Sequence, residues 1–161
     1  AGKHILGIGN GFQILLEAGL LPGAVLINKD LKFHCDDIFV RVENIDTPFT
    51  GLYKKGEVVR LPLACKYGNY FADSETIKHL KAEEKIVLTY CDENGDLVEA
   101  SNPVGSLENI AGIVSREGNI LGLMPHPERC AEEILGNTDG IRIFKSILQY
   151  VEGGKANGRS S

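Results

Sequence analysis

Two short segments of the sequence carry the residue types from which an active site could be built. The first is Gly7-Ile8-Gly9-Asn10-Gly11, a glycine-rich break between an apolar run and a helix-like stretch, and the second is Pro125-His126-Pro127-Glu128. His126 stands between two prolines, which rigidify the backbone and leave its side chain as the informative group. From these residues alone His126 fits a catalytic and a structural role equally well, because histidine is chemically versatile and intermediate in burial.

A strand that ends in a glycine-rich turn and continues into a helix has two common chemical uses. One is the phosphate-binding turn G-x-G-x-x-G, whose first two glycines match Gly7 and Gly9 but whose last position holds Phe12 instead of a small residue. The other is a nucleophile elbow, G-x-Nuc-x-G, with Gly7 and Gly11 as the flanking glycines and Gly9 where the nucleophile would stand. Composition alone favours a third interpretation, a plain glycine-rich turn.

The elements around these segments are predicted from periodicity and turn residues to be those of an α/β domain. A strand at 4–8, a helix from Phe12 to Gly19 and a turn at 21–23 open the chain. Strands are predicted at 24–27, 32–35, 38–43, 57–63, 86–90, 110–115 and 119–124, with a hairpin-type turn at 92–96. Helices are predicted from a Ser74 cap to about Glu83 and from Asp139 onwards. One domain is expected over 1–152, followed by a disordered tail at 153–161.

The amino-acid composition, the net charge and the cysteine spacing argue against several classes of function. The chain has 161 residues, 43% of them hydrophobic, which is enough for one domain with a core. The net charge of −5 gives no reason to expect nucleic acid as a partner, and no apolar run is long enough to span a bilayer. The cysteines lack CxxC spacing, so reduced thiols in a cytosolic protein are predicted rather than a zinc site. These cysteines are Cys35, Cys65, Cys91 and Cys130.

Five longer blocks carry a more specific signal. They are residues 7–23, Arg41–Asn44 with Thr47–Thr50, Gly68–Tyr70, Asn109–Ile113 and Gly122–Arg129. The first block resembles the motif G-[IV]-C-N-G-F-Q of the glutamine amidotransferase subunit of phosphoribosylformylglycinamidine synthase. The other blocks resemble further segments of that family, in the family's order, and together they cover nearly the whole chain up to Val151. So many ordered matches are highly specific.

The resemblance implies a class I, triad-type glutaminase on a doubly wound α/β fold with a mixed or parallel, flavodoxin-like sheet. Such a subunit hydrolyses L-glutamine and passes ammonia to a synthetase large subunit, in a cytoplasmic complex with a small accessory subunit. The ammonia converts formylglycinamide ribonucleotide to its amidine in de novo purine biosynthesis. ATP and Mg²⁺ are used by the partner synthetase, so no cofactor and no metal are expected in this chain.

The resemblance also assigns the site residues. It places the nucleophile at position 9, the base at His126 and the carboxylate that orients the base at Glu128, the three roles that amide hydrolysis requires. The backbone N–H of the residue after the nucleophile is expected to donate to the oxyanion. The expected substrate-binding residues at the start of the helix are Asn10, Gly11 and Gln13.

Three features depart from the family's pattern. Gly9 replaces the nucleophilic cysteine, so no thioester can form there and the glutaminase step is expected to be lost. Cys65 and Tyr67 replace the His and Glu of A-H-x-E-G, with Lys66 between them, which puts that loop's substrate-channel or partner contacts in doubt. Cys65 itself is expected to be a plain thiol rather than a replacement nucleophile. The strands and helices that precede the family's elbow, with its other oxyanion donor, are expected to be missing.

Two other functions stay open at this point. The first is a non-catalytic module that binds glutamine or a synthetase without turnover. The second is an enzyme of another type on the same kind of scaffold, such as a nucleotide-binding oxidoreductase.

Overall fold

A computed structural model of the chain describes residues 2–130 and 138–157, without the side chains of residue 130 and residues 154–157. The helices and strands follow one another as β1 (Ile5–Ile8), α1 (Asn10–Glu17), β2 (Ala24–Ile27), β3 (His34–Val42), β4 (Val58–Cys65), β5 (Tyr67–Phe71), α2 (Ser74–Ala82), β6 (Ile86–Cys91), β7 (Ile110–Val114), β8 (Ile120–Leu123) and α3 (Ile141–Asn157). Short 3₁₀ turns cover Glu99–Ser101, Leu107–Asn109 and Pro127–Cys130.

Six of the strands form one mixed sheet in the order β1-β8-β7-β6-β3-β4. β1 and β8 pair in parallel, while every other neighbouring pair in this sheet is antiparallel. β2 and β5 form a separate antiparallel ribbon. The predicted α/β class with a mixed sheet is therefore confirmed. The parallel pair matters for the site, because it brings the carboxyl ends of β1 and β8 to the same edge.

The sheet's central strands explain where the core lies. β7 and β8 are buried along their whole lengths, which is typical of strands covered on both faces. Helix α1 packs beside them through Phe12, Leu15 and Leu16. The Phe12 ring lies against Gly122, where an added Cβ would be only 2.3 Å from Phe12 Cδ2. This close approach anchors the start of α1 beside the end of β1.

Two sequence predictions about the strands and their connections were wrong, and one strand was missed. The segments 32–35 and 38–43 are one strand, β3, because β4 pairs with it continuously from His34 to Arg41. Residues 35–37 of that strand are exposed, so the sequence shows no continuous strand pattern across them. β5 was not predicted, since Gly68 and Asn69 break its apolar pattern, yet it pairs with β2. The turn at 92–96 does not close a hairpin, because β7 begins only at Ile110.

Helix ends also differ from the predictions. α1 begins at Asn10, directly after the turn. Asp73, not Ser74, caps α2, and its side chain accepts a hydrogen bond from the Thr76 N–H at 2.7 Å. α3 extends to Asn157 and so includes the first five residues, 153–157, of the segment predicted as a tail. Residues 158–161 of that segment lie outside the described residues.

Helix α3 is attached near its first turn. Ile143 is buried, and the Arg142 guanidinium donates to both carboxylate oxygens of Glu57 while lying 4.2 Å from the Tyr53 ring centroid. Further along α3 the apolar side chains of Leu148 and Val151 are exposed. The attachment of α3 therefore depends on its N-terminal half.

No helix in the described part of the chain is both long and apolar enough to cross a membrane.

Candidate active site

The turn after β1, which we call the elbow (residues 7–11), has a conformation that favours glycine at its centre. Gly9 has φ +58° and ψ −113°, a region that L side chains rarely adopt. Its N–H donates to the Leu123 carbonyl at 2.9 Å and extends the β1–β8 ladder. Its carbonyl accepts from the Phe12 N–H at 3.0 Å and starts helix α1. The chain thus turns from strand to helix within one residue, as a nucleophile elbow does.

The two flanking glycines of the elbow are not equivalent. A Cβ on Gly7 would lie 2.4 Å from Leu15 Cδ1 and 2.7 Å from the Gly11 carbonyl oxygen, so α1 can cross β1 only at a residue without a side chain. A Cβ on Gly11 would have no atom within 4 Å outside its own helix backbone and chain neighbours. Gly7 is therefore required by packing, whereas Gly11 is not.

His126 follows β8 and lies over the elbow. Its backbone N–H donates to the Pro62 carbonyl at 2.8 Å, and its Nδ1 lies 2.6 Å from Glu128 Oε1. Because a carboxylate only accepts hydrogen bonds, this contact fits a ring with a proton on Nδ1, and Nε2 is then the nitrogen that faces position 9. A Cβ on Gly9 would lie 3.2 Å from Nε2 and 3.0 Å from Cε1. His126 and Glu128 therefore lie together beside position 9.

The elbow and His126 open into a cleft of about 420 Å³, the His126 cleft. One side is a wall formed by Phe33 and residues 64–67, and Lys66 and Arg129 bring positive charge to the lining. Asn10 lines the cleft, but Gly11 and Gln13 do not, and the Gln13 amide instead donates to Glu17 Oε1 at 3.2 Å. The structure thus brings Gly9, Asn10, His126 and Glu128 together and leaves Gln13 on the exposed side of α1. The substrate-binding roles assigned to Asn10, Gly11 and Gln13 stay predictions.

The first turn of α1 gives the cleft an electrostatic bias. The N–H groups of Asn10 and Gly11 have no carbonyl one turn earlier within the helix to accept their hydrogen bonds. The positive end of the helix dipole therefore points at the space beside Gly9. An oxyanion or a thiolate formed there would be stabilised.

Asn28 was missed by sequence reasoning, although it holds the cleft wall together. Its side chain is completely buried, and its Nδ2 donates to the carbonyls of Lys32 at 2.8 Å and Cys65 at 2.9 Å. Its Oδ1 accepts from the Gly68 N–H at 2.8 Å. These bonds tie the segment before Phe33 to the loop after β4. An asparagine after a short strand signals only a turn, so the sequence carries no sign of this role.

Cys65 lies in the wall of the cleft, but its thiol is directed into the protein. A Cβ on Gly68 would lie 2.7 Å from Cys65 Sγ and 3.3 Å from Asn28 Oδ1, which places the sulfur in that buried corner. Burial raises the pKa of the Cys65 thiol to about 11, partly offset by its hydrogen bond with Asn28. A protonated thiol that faces inwards has the character of the plain buried cysteine expected from the sequence rather than of a replacement nucleophile.

Comparison with known proteins agrees with this geometry. A family model described as the CobB/CobQ-like glutamine amidotransferase domain matches residues 1–151. The chain is 57% identical over 152 residues to phosphoribosylformylglycinamidine synthase subunit PurQ of Pseudothermotoga lettingae, a match that covers 94% of this chain and 63% of that relative. It is 52% identical over 158 residues to PurQ of Moorella thermoacetica, covering 98% of this chain and 67% of that protein.

The chain belongs to the PurQ family of glutamine amidotransferases. Among solved structures it is similar to a chain in the structure of PurLQS from Thermotoga maritima, with a TM-score of 0.78, 44% identity and coverage of 93% of this chain and 63% of that one. The glutaminase domain of Trypanosoma brucei CTPS, at 12% identity and TM-score 0.54, shares the fold alone. The chain thus spans 63% of the length of the Pseudothermotoga relative and 63% of the matched chain in the Thermotoga structure.

The surroundings of Phe12 bear on the interpretation of the glycine-rich turn as a phosphate-binding turn. A dinucleotide-binding turn needs a small residue at the position of Phe12, whereas here the Phe12 ring is fully buried and stacks on Tyr70 at a centroid distance of 6.0 Å. The turn passes from strand to helix within one residue, with Gly9 at its centre. Among the described residues, no group of His, Cys, Asp and Glu side chains is arranged to hold a metal ion.

Proposed function

We propose that this chain is the glutaminase part of a phosphoribosylformylglycinamidine synthase, with its glutamine-cleaving step impaired because Gly9 has no nucleophile. One observation carries the proposal: the 2.6 Å contact between His126 Nδ1 and Glu128 Oε1 is kept beside an elbow that has lost its side chain. The ordered base and carboxylate fit an amidase site, and the family's substrate is L-glutamine. The acceptor of the ammonia is formylglycinamide ribonucleotide.

Each part of the site has a chemical role in this proposal. His126 Nε2 is the base, Glu128 orients the ring and stabilises its charged form, and the Asn10 N–H donates to the developing oxyanion. Without a side chain at position 9 no covalent intermediate forms on the protein. Loss of the nucleophile from such a constellation typically lowers kcat by roughly a millionfold.

The proposed partners are a synthetase large subunit and a small accessory subunit in the cytoplasm. The similarity to a chain of the PurLQS structure from Thermotoga maritima supports this assembly. ATP and Mg²⁺ are used by the synthetase, and this chain needs neither a cofactor nor a metal of its own. Neither nucleic acid nor a membrane is a partner in this proposal.

A synthase assay tests the proposal. The chain is mixed with a synthetase large subunit and its accessory subunit, with ATP, Mg²⁺ and the ribonucleotide, and the amidine product is measured with either glutamine or ammonium chloride as the nitrogen source. We expect product with ammonium chloride and almost none with glutamine. Rapid glutamine-dependent synthesis by the unmodified chain would contradict the impairment.

A second candidate function is a pseudo-glutaminase that binds glutamine or the synthetase without any turnover. Gly9 itself favours it, because the fold and the His126 cleft are kept while the residue that would react is absent. Calorimetry with L-glutamine and co-purification with the synthetase test this candidate. If neither binds, the candidate is wrong, and if glutamine is slowly cleaved, the first function stands instead.

A further inference from the structure

The His126 ring lies between the Glu128 carboxylate and Gly9, a residue without a side chain. The His126 ring is held by Glu128 on one side, and on the other a Cβ at position 9 would lie 3.2 Å from Nε2. Gly9 has only hydrogen atoms there. Both residues line the His126 cleft, so a small molecule that enters the cleft can reach the base and the elbow together.

We propose that a small, unbranched thiol binds beside Gly9 and replaces the missing nucleophile, which makes this chain a thiol-dependent glutaminase. The proposal takes its amide substrate from the proposed function and adds a second, diffusible reactant. A thiol is the matching chemical class, because sulfur is strongly nucleophilic and ionises near neutral pH when a base and a helix N-terminus are adjacent.

The reaction balances without an oxidant or a reductant. The thiol gives its proton to His126 Nε2, and its sulfur forms a bond to the amide carbon of glutamine. The bond from that carbon to nitrogen then breaks, and the proton on His126 leaves with the ammonia. The product is a glutamyl thioester, which water hydrolyses to glutamate with release of the thiol.

The surroundings of Gly9 fit this class of reactant. The first turn of α1 points its free N–H groups at the reacting sulfur and the oxyanion, and Lys66 and Arg129 add positive charge to the cleft. Ala64 and Met124 offer apolar contacts for a short alkyl group. Because a Cβ at position 9 would already lie 3.0 Å from Cε1 and 3.2 Å from Nε2 of the imidazole, we expect a thiol branched next to its sulfur to fit there less well than an unbranched one.

The test measures glutamate release by the full chain from glutamine with ethanethiol, with 2-methyl-2-propanethiol and without thiol. Ethanethiol is expected to raise the rate of glutamate release by at least about tenfold. This increase recovers only a small part of the activity that is lost when a nucleophile is removed. The branched thiol is expected to have almost no effect. Hydroxylamine added during the reaction should trap the thioester as glutamyl hydroxamate, which mass spectrometry detects.

Two variants complete the design. His126→Asn removes the base but keeps a polar side chain, and we expect it to abolish the ethanethiol effect. Gly9→Ala places a Cβ against the imidazole and should also reduce the effect, with Gly153→Ala in α3 as its matched control because that position is open and lies outside the cleft. Thermal unfolding shows whether the Gly9→Ala variant folds. If it does not fold, the comparison of the unmodified chain with His126→Asn alone tests the thiol inference.

Calorimetric titration with glutamine separates the two proposals. If glutamine binds but ethanethiol does not raise the rate above that of His126→Asn, the thiol inference is wrong and the proposed function stands. If glutamine does not bind, both are wrong. If ethanethiol raises the rate of glutamate release and His126→Asn abolishes that increase, the result supports both the proposed function and the thiol inference.

Discussion

His126 and Gly9 meet although they are far apart in the sequence: a Cβ at position 9 would stand 3.2 Å from Nε2 of the imidazole. The parallel register of β1 and β8 produces this meeting, since Ile8 pairs with Leu123 and both strands end at the same edge of the sheet. The residues that follow each strand therefore face the same space. The site depends on strand pairing in addition to the two motifs themselves.

Gly7 is predicted to be more sensitive to substitution than Gly11. Gly7→Ala would drive a methyl group to 2.4 Å from Leu15 Cδ1, and we expect it to lower the free energy of unfolding by about 2 kcal/mol or more through overpacking. Gly11→Ala is the matched control and is expected to be neutral or stabilising by up to ~1 kcal/mol. Urea denaturation measures both values, and equal effects of the two variants would contradict the packing argument.

Asn28 is predicted to stabilise the wall of the His126 cleft. Asn28→Ala removes three hydrogen bonds, two of them buried, including those to the Gly68 N–H and the Cys65 carbonyl, so we expect a loss of roughly 3 kcal/mol. Asn94→Ala, at an exposed position in the turn after β6, is the control and should stay within about 0.5 kcal/mol.

Amide hydrogen exchange tests locally whether Asn28 stabilises the wall of the His126 cleft. In Asn28→Ala the Gly68 amide should exchange faster than the loss of global stability explains, because its acceptor is gone. If Gly68 exchanges only by global unfolding in both proteins, Asn28 does not control the wall.

The pairing of Glu57 with Arg142 predicts acid sensitivity. Burial alone would raise the pKa of Glu57, but hydrogen bonds from the Arg142 side chain and the Lys54 backbone outweigh it and hold the pKa below its ordinary value of 4.5. A carboxyl with a lowered pKa contributes stability that is present above the unfolded pKa and is lost as pH falls through the folded pKa.

The corresponding test uses Glu57→Gln. At pH 7 we expect it to lower the free energy of unfolding by about 1–2 kcal/mol, since charge-assisted bonds are lost at a partly buried site. The gap between the two proteins should narrow as pH falls below 4.5. A gap that is the same at pH 3 and pH 7 would show that ionisation of Glu57 contributes nothing.

Cys65 is predicted to be unreactive in the folded protein. Its pKa of about 11 and inward direction should make its alkylation by iodoacetamide at pH 8 far slower than that of the exposed Cys35, as peptide mass spectrometry can measure. The raised pKa also lowers stability at high pH, because an unfolded thiol ionises from about pH 9 while the folded one stays protonated towards 11. Rapid native labelling of Cys65 would contradict its placement.

Local patterns in the sequence were enough for the α/β class, the order strand–turn–helix at the start and the paired strands β7 and β8. These features depend on neighbouring residues, such as the glycines that end β1 and the turn before Ile120. The wall of the cleft was not predictable in this way. Asn28 acts on the Cys65–Gly68 loop through contacts between segments distant in sequence, and β5 becomes a strand only because β2 pairs with it.

The roles of Gly9, His126 and Glu128 came from resemblance rather than from periodicity. The structure adds the distance between Nε2 and position 9 and the bond that orients the ring. It also shows that Gln13 points along α1 towards Glu17 and does not line the cleft. Side-chain direction at a helix start depends on how the helix packs, which the sequence alone does not specify.

The central claim is that position 9 is a nucleophile site whose base is still in place. Gly9→Cys tests it directly, with His126→Asn added in a second variant, by the rate of alkylation of the new thiol with iodoacetamide between pH 5 and 8. We expect Cys at position 9 to react at least about tenfold faster than Cys35 at pH 6 and to lose this advantage in the double variant, because the imidazole and the helix N-terminus stabilise a thiolate. Equal rates with and without His126 would contradict the claim.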